Sequence, residues 1–278
     1  MKQFAKYSKH PILLEADVIK KYIQQKTCDI IIFDSISSTN DYLKTCLGSK
    51  TSPQICLAEQ QTAGQGRFGR NWYSPYGQNI YLSCLWNFDK NIGELSCLSL
   101  VVSLAIIKTL VDLGIDKNLK IKWPNDILYN HQKLAGTLIE IVAESNVNSP
   151  VIIGVGLNVN MLSAKANEIT QTWTSVAKIL GSYQDRNILI GMFLNNLFSY
   201  LSEFNNKSFT GFLSEWQKYD YLIGKQIKLV NNQKTIVGTA LGINEQGYLL
   251  LKHNDGRIVA YSSGDTYSHN SHCQTGII

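Results

Sequence analysis

The chain has 278 residues, of which 44% are hydrophobic and 17% are charged, a composition typical of a globular protein with one large and one smaller domain. Its formal charge of +5 suits a protein that handles anions, but the lysine runs of nucleic-acid-binding arms are absent from the sequence. No apolar run approaches the roughly 20 residues of a membrane-spanning helix, and we expect no secretory signal at the N-terminus, where the apolar stretch is short. Six cysteines at irregular spacing predict reduced, mostly buried thiols, so we expect a cytoplasmic protein without a membrane segment.

The first half of the chain predicts helices and strands in alternation. Apolar spacing indicates a helix over 12–25, a buried strand over 28–33, and an amphipathic helix after the N-cap candidates of "SSTN". A strand at "QICLAEQ", a strand over 79–86 and a long apolar helix over 94–114 follow. Further strand-like pieces, separated by turn formers, continue to about residue 160. The pattern predicts an α+β domain in which helices pack on a mixed or mostly antiparallel sheet.

The second half changes character twice. Helical periodicity returns from about residue 174, and near residue 222 it gives way to short strands separated by the turn signals "NNQ", "NEQG" and "NDG". Such a string of strands predicts a small β-barrel of SH3-like size. We therefore divide the chain into a short N-terminal helical segment (1–27), the α+β domain (28–220) and a C-terminal SH3-like domain with a tail (221–278).

One loop, "QTAGQGRFGRNW" at 61–72, combines bare backbone, fixed positive charge and an aromatic ring. Its glycines let backbone N–H groups approach an anion, and Arg67 and Arg70 carry charge that does not titrate near neutral pH. Trp72 offers a flat surface for a purine or another planar group. The loop does not end in G-K-[ST], and the sequence after it does not begin the helix of a dinucleotide-binding unit. It predicts a phosphate or carboxylate site, with an ordinary surface loop as the alternative.

A second polar group lies in "KWPNDILYNHQKLAG" at 122–136. The Pro-Asn pair predicts a sharp turn that exposes Asn125 and Asp126 at the start of a strand, and Lys133 begins the next strand. One carboxylate and one ammonium group are therefore expected to face the same cleft. An ordinary hairpin with solvated charges is the alternative for this segment taken alone.

Several motifs occur in a characteristic order: "SSTN", "EQQTAGQGRFGRNWYSP", "NIYLS", "KWPNDI", "KLAGTLIE" and "IGVGLNVN". Together they resemble the biotin protein ligase family over roughly residues 28–265. The resemblance implies a catalytic domain of the class II aminoacyl-tRNA synthetase-like type, followed by an SH3-like domain. It also implies that biotin and ATP, supplied with Mg²⁺, form biotinyl-5′-AMP, from which biotin passes to one lysine of a biotin carboxyl carrier protein.

The resemblance also implies the residues of the site. The biotin-binding set comprises Ser38, Thr39, Asn40, Gln61, Gly64, Gln65, Gly66, Arg67, Lys133, Gly136, Gly154 and Asn158. The set for ATP and the adenylate comprises Arg67, Arg70, Trp72, Asn125 and Lys133. The catalytic residues are Lys133, Arg67 and Asp126, with Asp126 orienting or deprotonating the incoming amine, whose reference pKa is about 10.4. No fixed protein site for a metal is expected, because Mg²⁺ would arrive with ATP.

The chain departs from the family pattern at two places. Gln65 stands where the loop usually has its first arginine, so weaker retention of the adenylate is expected. The segment "SGDTYSHN" lacks the arginine that usually follows this motif, which argues against an adenosine contact from the small domain. Fewer than 30 residues precede the first catalytic strand, so we expect no binding to operator DNA. The family resemblance also allows a homodimer.

Three other functions compete with this prediction. A lipoate ligase or lipoyl transferase shares the catalytic fold, and a non-catalytic sensor of biotin or nucleotide is an alternative of a different class. Nucleic-acid binding would rest on the net charge alone.

Overall fold

The computed structural model describes residues 11–25, 28–47, 53–142, 149–164, 168–231 and 234–268. Within these ranges the helices are α1 (Ala16–Lys21), α2 (Thr39–Thr45), α3 (Leu98–Asp112), α4 (Val176–Leu180), α5 (Arg186–Asn206) and α6 (Thr210–Tyr219). The first seven strands are β1 (Asp29–Ile36), β2 (Gln54–Gln61), β3 (Ile80–Phe88), β4 (Leu119–Lys122), β5 (Asp126–Tyr129), β6 (Gln132–Ile141) and β7 (Ser149–Leu157). The last five are β8 (Gln226–Asn231), β9 (Lys234–Ile243), β10 (Leu249–Lys252), β11 (Ile258–Tyr261) and β12 (Asp265–Ser268).

The first seven strands form one mixed sheet in the order β1-β2-β3-β7-β6-β5-β4. Strands β1 and β2 run parallel, and the other neighbours are antiparallel. Helices α3 and α5 lie on one face of this sheet and α2 lies on the other. This arrangement confirms the predicted α+β class.

Side-chain alternation along the central strands divides the core between the two faces of the sheet. In β2, Ile55 and Leu57 pack into the main core, whereas Cys56 between them packs beneath α2 with Leu43. Successive strand residues point to opposite faces, so a two-residue period in the sequence becomes two separate packing layers. The smaller layer fixes the position of α2, whose N-terminus enters the site described below.

The last five strands form an antiparallel sheet in the order β11-β10-β9-β8-β12, in agreement with the predicted SH3-like domain. This sheet lies directly against the larger domain near the turn at Pro124. The indole of Trp123 donates to the carbonyl of Gly247 over 3.0 Å, and the hydroxyl of Thr266 donates to the carbonyl of Trp123 over 3.1 Å. These buried hydrogen bonds place β12 beside the functional site.

Two sequence predictions about helices need correction. The helix predicted over 12–25 spans only Ala16–Lys21, because side chains of α5 bind the backbone before it. Arg186 donates to the carbonyl of Ile12 over 2.8 Å, and Asn187 donates to the carbonyl of Leu13 over 3.0 Å. The predicted helix over 94–114 begins as a 3₁₀ turn, Ile92–Cys97, and continues as α3.

The stretch Ile92–Asp112 is also long and apolar enough to span a membrane by length and composition, so the prediction that no segment reaches this length is wrong. In the fold, 72% of its apolar window is buried, and α3 packs between the sheet and α5. The stretch therefore serves as the central core helix of the domain.

None of the cysteines that the structure describes forms a disulfide. Cys28, Cys56, Cys84 and Cys97 are buried, whereas Cys46 is partly exposed. Burial raises the pKa of the Cys56 and Cys97 thiols to about 12. The predicted sixth thiol, Cys273, lies outside the described residues, as do His269 and Asn270 of the "SGDTYSHN" segment.

Candidate active site

A cavity of about 540 Å³ opens above the central strands, between the N-terminus of α2, the glycine-arginine loop and strand β12. Every residue of the predicted site except Gly64 lines it: Ser38, Thr39, Asn40, Gln61, Gln65, Gly66, Arg67, Arg70, Trp72, Asn125, Asp126, Lys133, Gly136, Gly154 and Asn158. The fold thus brings together side chains that are separated by more than one hundred residues in the sequence. The individual roles given to them above stay predictions.

One end of the cavity carries neutral hydrogen-bonding groups at the start of α2. Ser38 caps this helix, and its hydroxyl accepts from the backbone N–H of Asp41 over 3.3 Å. The backbone N–H and hydroxyl of Thr39 both donate to Oε1 of Gln61, over 2.9 Å and 3.0 Å. Ser83 of β3, fully buried, donates to the hydroxyl of Thr39 over 2.7 Å. Buried polar groups with fixed donors and acceptors suit a neutral ligand that has both kinds of group.

Glycines at this end make room for a polar side chain. A Cβ at Gly154 would lie 2.5 Å from Oδ1 of Asn40, and the Asn40 amide donates to Glu140 over 2.7 Å. Gly154 of β7 pairs with Ser83 of β3 across the sheet, so a hydroxyl group and a residue without a side chain lie next to each other. The glycine is therefore required by close approach of the Asn40 side chain.

The middle of the cavity holds an ion pair and an indole. Nζ of Lys133 lies 2.8 Å from Oδ1 of Asp126 and 5.3 Å from the centre of the Trp72 ring. Both charged side chains are mostly buried, at 16% and 18% exposure, so solvent screens them less than a surface pair. The indole lies flat over Gly136 and Gly156, where a Cβ would stand 3.2 Å and 2.3 Å from ring atoms. This geometry can hold a planar group and an anion next to each other.

The far end is cationic and reaches the small domain. Arg67 donates to the carbonyl of Gly264 over 3.1 Å and lies 3.5 Å from Asp265, which also pairs with Arg70 over 3.0 Å. Burial lowers the pKa of the Arg67 guanidinium, and Asp265 offsets part of this effect. Between the arginines, Phe68 adopts a left-handed backbone with φ of 57° and is 69% exposed. The tip of the loop is thus exposed, and arginines on both sides of it anchor the loop to the small domain.

The small domain contributes more to this site than the sequence indicated. Tyr267 lines the cavity, and Gly264 and Asp265 bind the two loop arginines. The expected lack of an adenosine contact from this domain rested on a missing arginine, and that expectation stays a prediction. The contact through Asp265 was not visible in the sequence, because it joins positions about 195 residues apart.

Sequence reasoning also missed other residues at the site. Ser83 lies in the strand motif "NIYLS", and the alternation of apolar residues there indicated only that one face of the strand is buried. Lys122, the first residue of "KWPND", lies beside the cavity and does not line it; its Nζ is 5.7 Å from the centre of the Tyr267 ring, and burial lowers the pKa of its ammonium group. Residues 168–171 and Trp173 line the cavity from a segment that gave no motif signal. Among the described residues, no group of three or more His, Cys, Asp or Glu side chains could hold a metal ion.

Gly64, which lies behind the cavity surface, supports the loop from below. Its carbonyl accepts from the backbone N–H of Trp72 over 2.8 Å. Asn125 and Asn158 both line the cavity and bind backbone carbonyls, of Thr137 over 2.7 Å and Thr174 over 3.0 Å. These contacts fix the walls of the cavity.

Comparisons with known proteins agree with this geometry. Residues 32–158 match the biotin/lipoate A/B protein ligase family, and residues 222–266 match the biotin protein ligase C-terminal domain. The bifunctional ligase/repressor BirA of Escherichia coli is 36% identical over 85% of this chain and 73% of its own length. The biotin–[acetyl-CoA-carboxylase] ligase of Mycobacterium tuberculosis is 28% identical over 85% of this chain and 87% of its own.

A solved structure of a biotin protein ligase also has a similar fold. The biotin protein ligase from Aquifex aeolicus in complex with biotin and ATP superimposes with a TM-score of 0.73 at 28% identity, covering 86% of this chain and 97% of that one. The chain belongs to the biotin/lipoate A/B protein ligase family and, within it, to the biotin protein ligases.

Proposed function

We propose that this protein ligates biotin to a specific lysine of a biotin carboxyl carrier protein, using ATP and passing through biotinyl-5′-AMP. The observation that carries the proposal is one continuous cavity with neutral hydrogen-bonding groups at one end, the Lys133–Asp126 pair and Trp72 in the middle, and Arg67 and Arg70 at the other end. This order matches a ligand that is neutral at its ring, anionic at its carboxylate and then attached to a nucleotide.

In the first half-reaction, a carboxylate oxygen of biotin attacks the α-phosphorus of ATP and pyrophosphate leaves. Two anions must approach each other, so fixed positive charge is needed where they meet. Lys133 lies between the neutral end and the indole, where it can bind the carboxylate and the α-phosphate together. Arg67 and Arg70 lie further along and would bind phosphate oxygens, which then replace their present partner Asp265. Mg²⁺ would enter with ATP and screen the phosphates.

In the second half-reaction, the lysine amine of the carrier attacks the acyl carbon and AMP leaves. The amine must first lose a proton, because an ordinary lysine is charged near neutral pH. Asp126 is the carboxylate within the cavity that lies beside Lys133, and we assign to it the orientation or deprotonation of the amine. Its contact with Lys133 holds the carboxylate in place until the substrates arrive.

The domain division at residues 28 and 221 belongs to this proposal, with the α+β part as the catalytic domain. The acceptor is a biotin carboxyl carrier protein, such as a subunit of acetyl-CoA carboxylase or of another biotin-dependent carboxylase. We place the reaction in the cytoplasm, where carrier and ATP meet. Absence of operator-DNA binding, absence of membrane association and formation of a homodimer stay predictions; gel-shift, vesicle-flotation and sedimentation assays test them.

Lipoate is the main competing substrate, since the family includes both activities. The neutral end favours biotin, because the ureido ring has N–H and C=O groups for Thr39 and Gln61 whereas a dithiolane ring has none. A buried polar site left unpaired by the wrong ligand discriminates strongly against it. A purely sensory role is disfavoured because Asp126 has no task in binding an anionic adenylate.

The test is adenylation measured by pyrophosphate release, with biotin or lipoate as the acid. We expect release with biotin and none above background with lipoate. Lys133→Ala should lower the biotin-dependent rate at least about a hundredfold, as expected for loss of a preorganised charge, while the protein still folds. Lys252→Ala, at an exposed position on β10, is the matched control and should retain the wild-type rate. A preference for lipoate, or a wild-type rate in Lys133→Ala, contradicts the proposal.

A further inference from the structure

A chain of buried and partly buried hydrogen bonds connects the neutral end of the cavity to the backbone of Trp72. It runs from Ser83 to Thr39 over 2.7 Å, from Thr39 to Gln61 over 3.0 Å, and from Gln61 Nε2 to Ser74 Oγ over 3.3 Å. The hydroxyl of Ser74 then donates to the backbone carbonyl of Trp72 over 3.0 Å. Ser74 is only 6% exposed and is not among the residues that line the cavity. It can therefore influence a ligand only through its neighbours.

From Thr39 onward the donors and acceptors in this chain have one consistent assignment, whereas the single hydroxyl hydrogen of Ser83 is shared between Thr39 Oγ1 and Asn40 Oδ1. Oε1 of Gln61 accepts from both the N–H and the hydroxyl of Thr39, so the other end of the amide must be its donor end. That end donates to Ser74, whose hydroxyl hydrogen is then free to donate to the carbonyl of Trp72. Loss of the Ser74 hydroxyl would leave one donor of Gln61 and one acceptor of Trp72 without these partners.

The space around Ser74 is tight, which keeps the connection rigid. A Cβ at Gly64 would lie 2.8 Å from Ser74 Oγ, 2.8 Å from the carbonyl oxygen of Trp72 and 2.9 Å from Nε2 of Gln61. The same glycine accepts from the backbone N–H of Trp72 over 2.8 Å. Both backbone polar groups of Trp72 are thus held at this junction, so a shift of Gln61 would move Ser74 or strain its hydrogen bond to the Trp72 backbone.

We propose that Ser74 is a positioning residue that couples the biotin-binding end of the cavity to the nucleotide-binding indole. The inference rests on the proposed function and deepens it. Biotin bound at Gln61 fixes the amide, Ser74 transmits that position to the backbone of Trp72, and the indole then stands ready for the adenine. Because binding free energies are linked, bound ATP must raise the affinity for biotin by the same factor by which bound biotin raises the affinity for ATP.

The test measures this coupling directly. Titration calorimetry gives the dissociation constant of a non-hydrolysable ATP analogue with and without saturating biotin, and the ratio is the coupling factor. In Ser74→Ala we expect the factor to fall about three- to tenfold, the range of one or two neutral hydrogen bonds, while biotin alone binds within about twofold of wild type. Ser74→Cys keeps a side chain that can donate a hydrogen bond, although the sulfur is larger and the bond weaker, and it should give an intermediate factor.

Ser103→Ala is the matched control. Ser103 is also buried, and its hydroxyl donates to the carbonyl of Ser99 within α3, over 2.7 Å and away from the cavity. An unchanged coupling factor in Ser74→Ala would overturn the inference, as would an equal loss of affinity for biotin alone. If Ser74→Ala does not fold, Ser74→Cys decides by the same criterion. A wild-type protein that binds no biotin would instead refute the proposed function, so the two failures are distinguishable.

Discussion

A single methyl group added at Gly156 should weaken ATP binding and leave biotin binding largely unchanged. A Cβ at this residue would stand 2.3 Å from Cε2, 2.5 Å from Cζ2 and 2.6 Å from Nε1 of Trp72. The backbone cannot retreat, because Gly156 is paired with Tyr81 of β3 on one side and with Gly136 of β6 on the other. In Gly156→Ala the indole must therefore move outward.

The size of the effect follows from that overlap. Ordinary contact begins near 3.4 Å, so the ring must shift by roughly 1 Å, and overpacking of this kind typically costs about 1–3 kcal/mol. Adenine binding requires the indole in its present place, so binding must supply this free energy. Since about 1.4 kcal/mol corresponds to a tenfold change, the affinity for ATP should fall by between about fivefold and about a hundredfold. Biotin contacts at the neutral end of the cavity should change much less, because the three atoms nearest to the added Cβ all belong to Trp72.

The assay is binding of an ATP analogue and of biotin, each measured alone, with unfolding followed in parallel. Gly136→Ala provides a graded comparison, because its Cβ would lie 3.2 Å from the indole and needs a shift of only a few tenths of an ångström. Gly93→Ala, with nothing within 4 Å of the added carbon, is the neutral control. Wild-type affinity for ATP in Gly156→Ala, with the fold intact, would refute the assignment of Trp72 to the nucleotide.

Three further predictions concern charge. Gln65 donates to Asp41 over 3.3 Å, so Gln65→Arg adds a charge–charge contact and should slow dissociation of biotinyl-5′-AMP by about two- to fivefold; an unchanged off-rate contradicts this. Glu59 and Arg186 form an ion pair of 2.7 Å, and their side chains are 4% and 1% exposed. Glu59→Gln should therefore lower the free energy of unfolding in urea by about 3–5 kcal/mol. A decrease below about 1 kcal/mol would contradict this prediction. Burial lowers the pKa of Lys122 despite the opposing effect of Asp126, so the folded state binds this proton less tightly than the unfolded chain. Its charge therefore reduces stability at neutral pH, and the penalty fades as pH rises towards the unfolded value of about 10.4. Lys122→Met should raise the melting temperature at neutral pH and raise it less near pH 10; a pH-independent gain contradicts this.

Much of this architecture was predictable because it depends on local patterns. Strand alternation and turn residues predicted the mixed sheet and the small barrel, and the order of the short motifs indicated the family. The composition of the loop at 61–72 also favoured an anion site, with an ordinary surface loop as the alternative.

What could not be predicted depends on contacts between distant segments. Strand β12 has no apolar alternation and forms because Asp265–Ser268 pair with β8. Asp265 then reaches Arg67 and Arg70, a contact that no local pattern announces. The N-terminal helix was predicted too long for the same reason. Side chains of α5 bind backbone carbonyls in the segment that apolar periodicity alone predicted as helix.

The central claim is tested most directly by one two-part measurement: pyrophosphate release from ATP and biotin without a carrier, followed by transfer of biotin after a purified carrier domain is added. The account predicts release in the first part and a single biotinylated lysine on the carrier in the second. Absence of biotin-dependent pyrophosphate release, with protein shown to be folded, would contradict the assignment of the cavity to biotin and ATP.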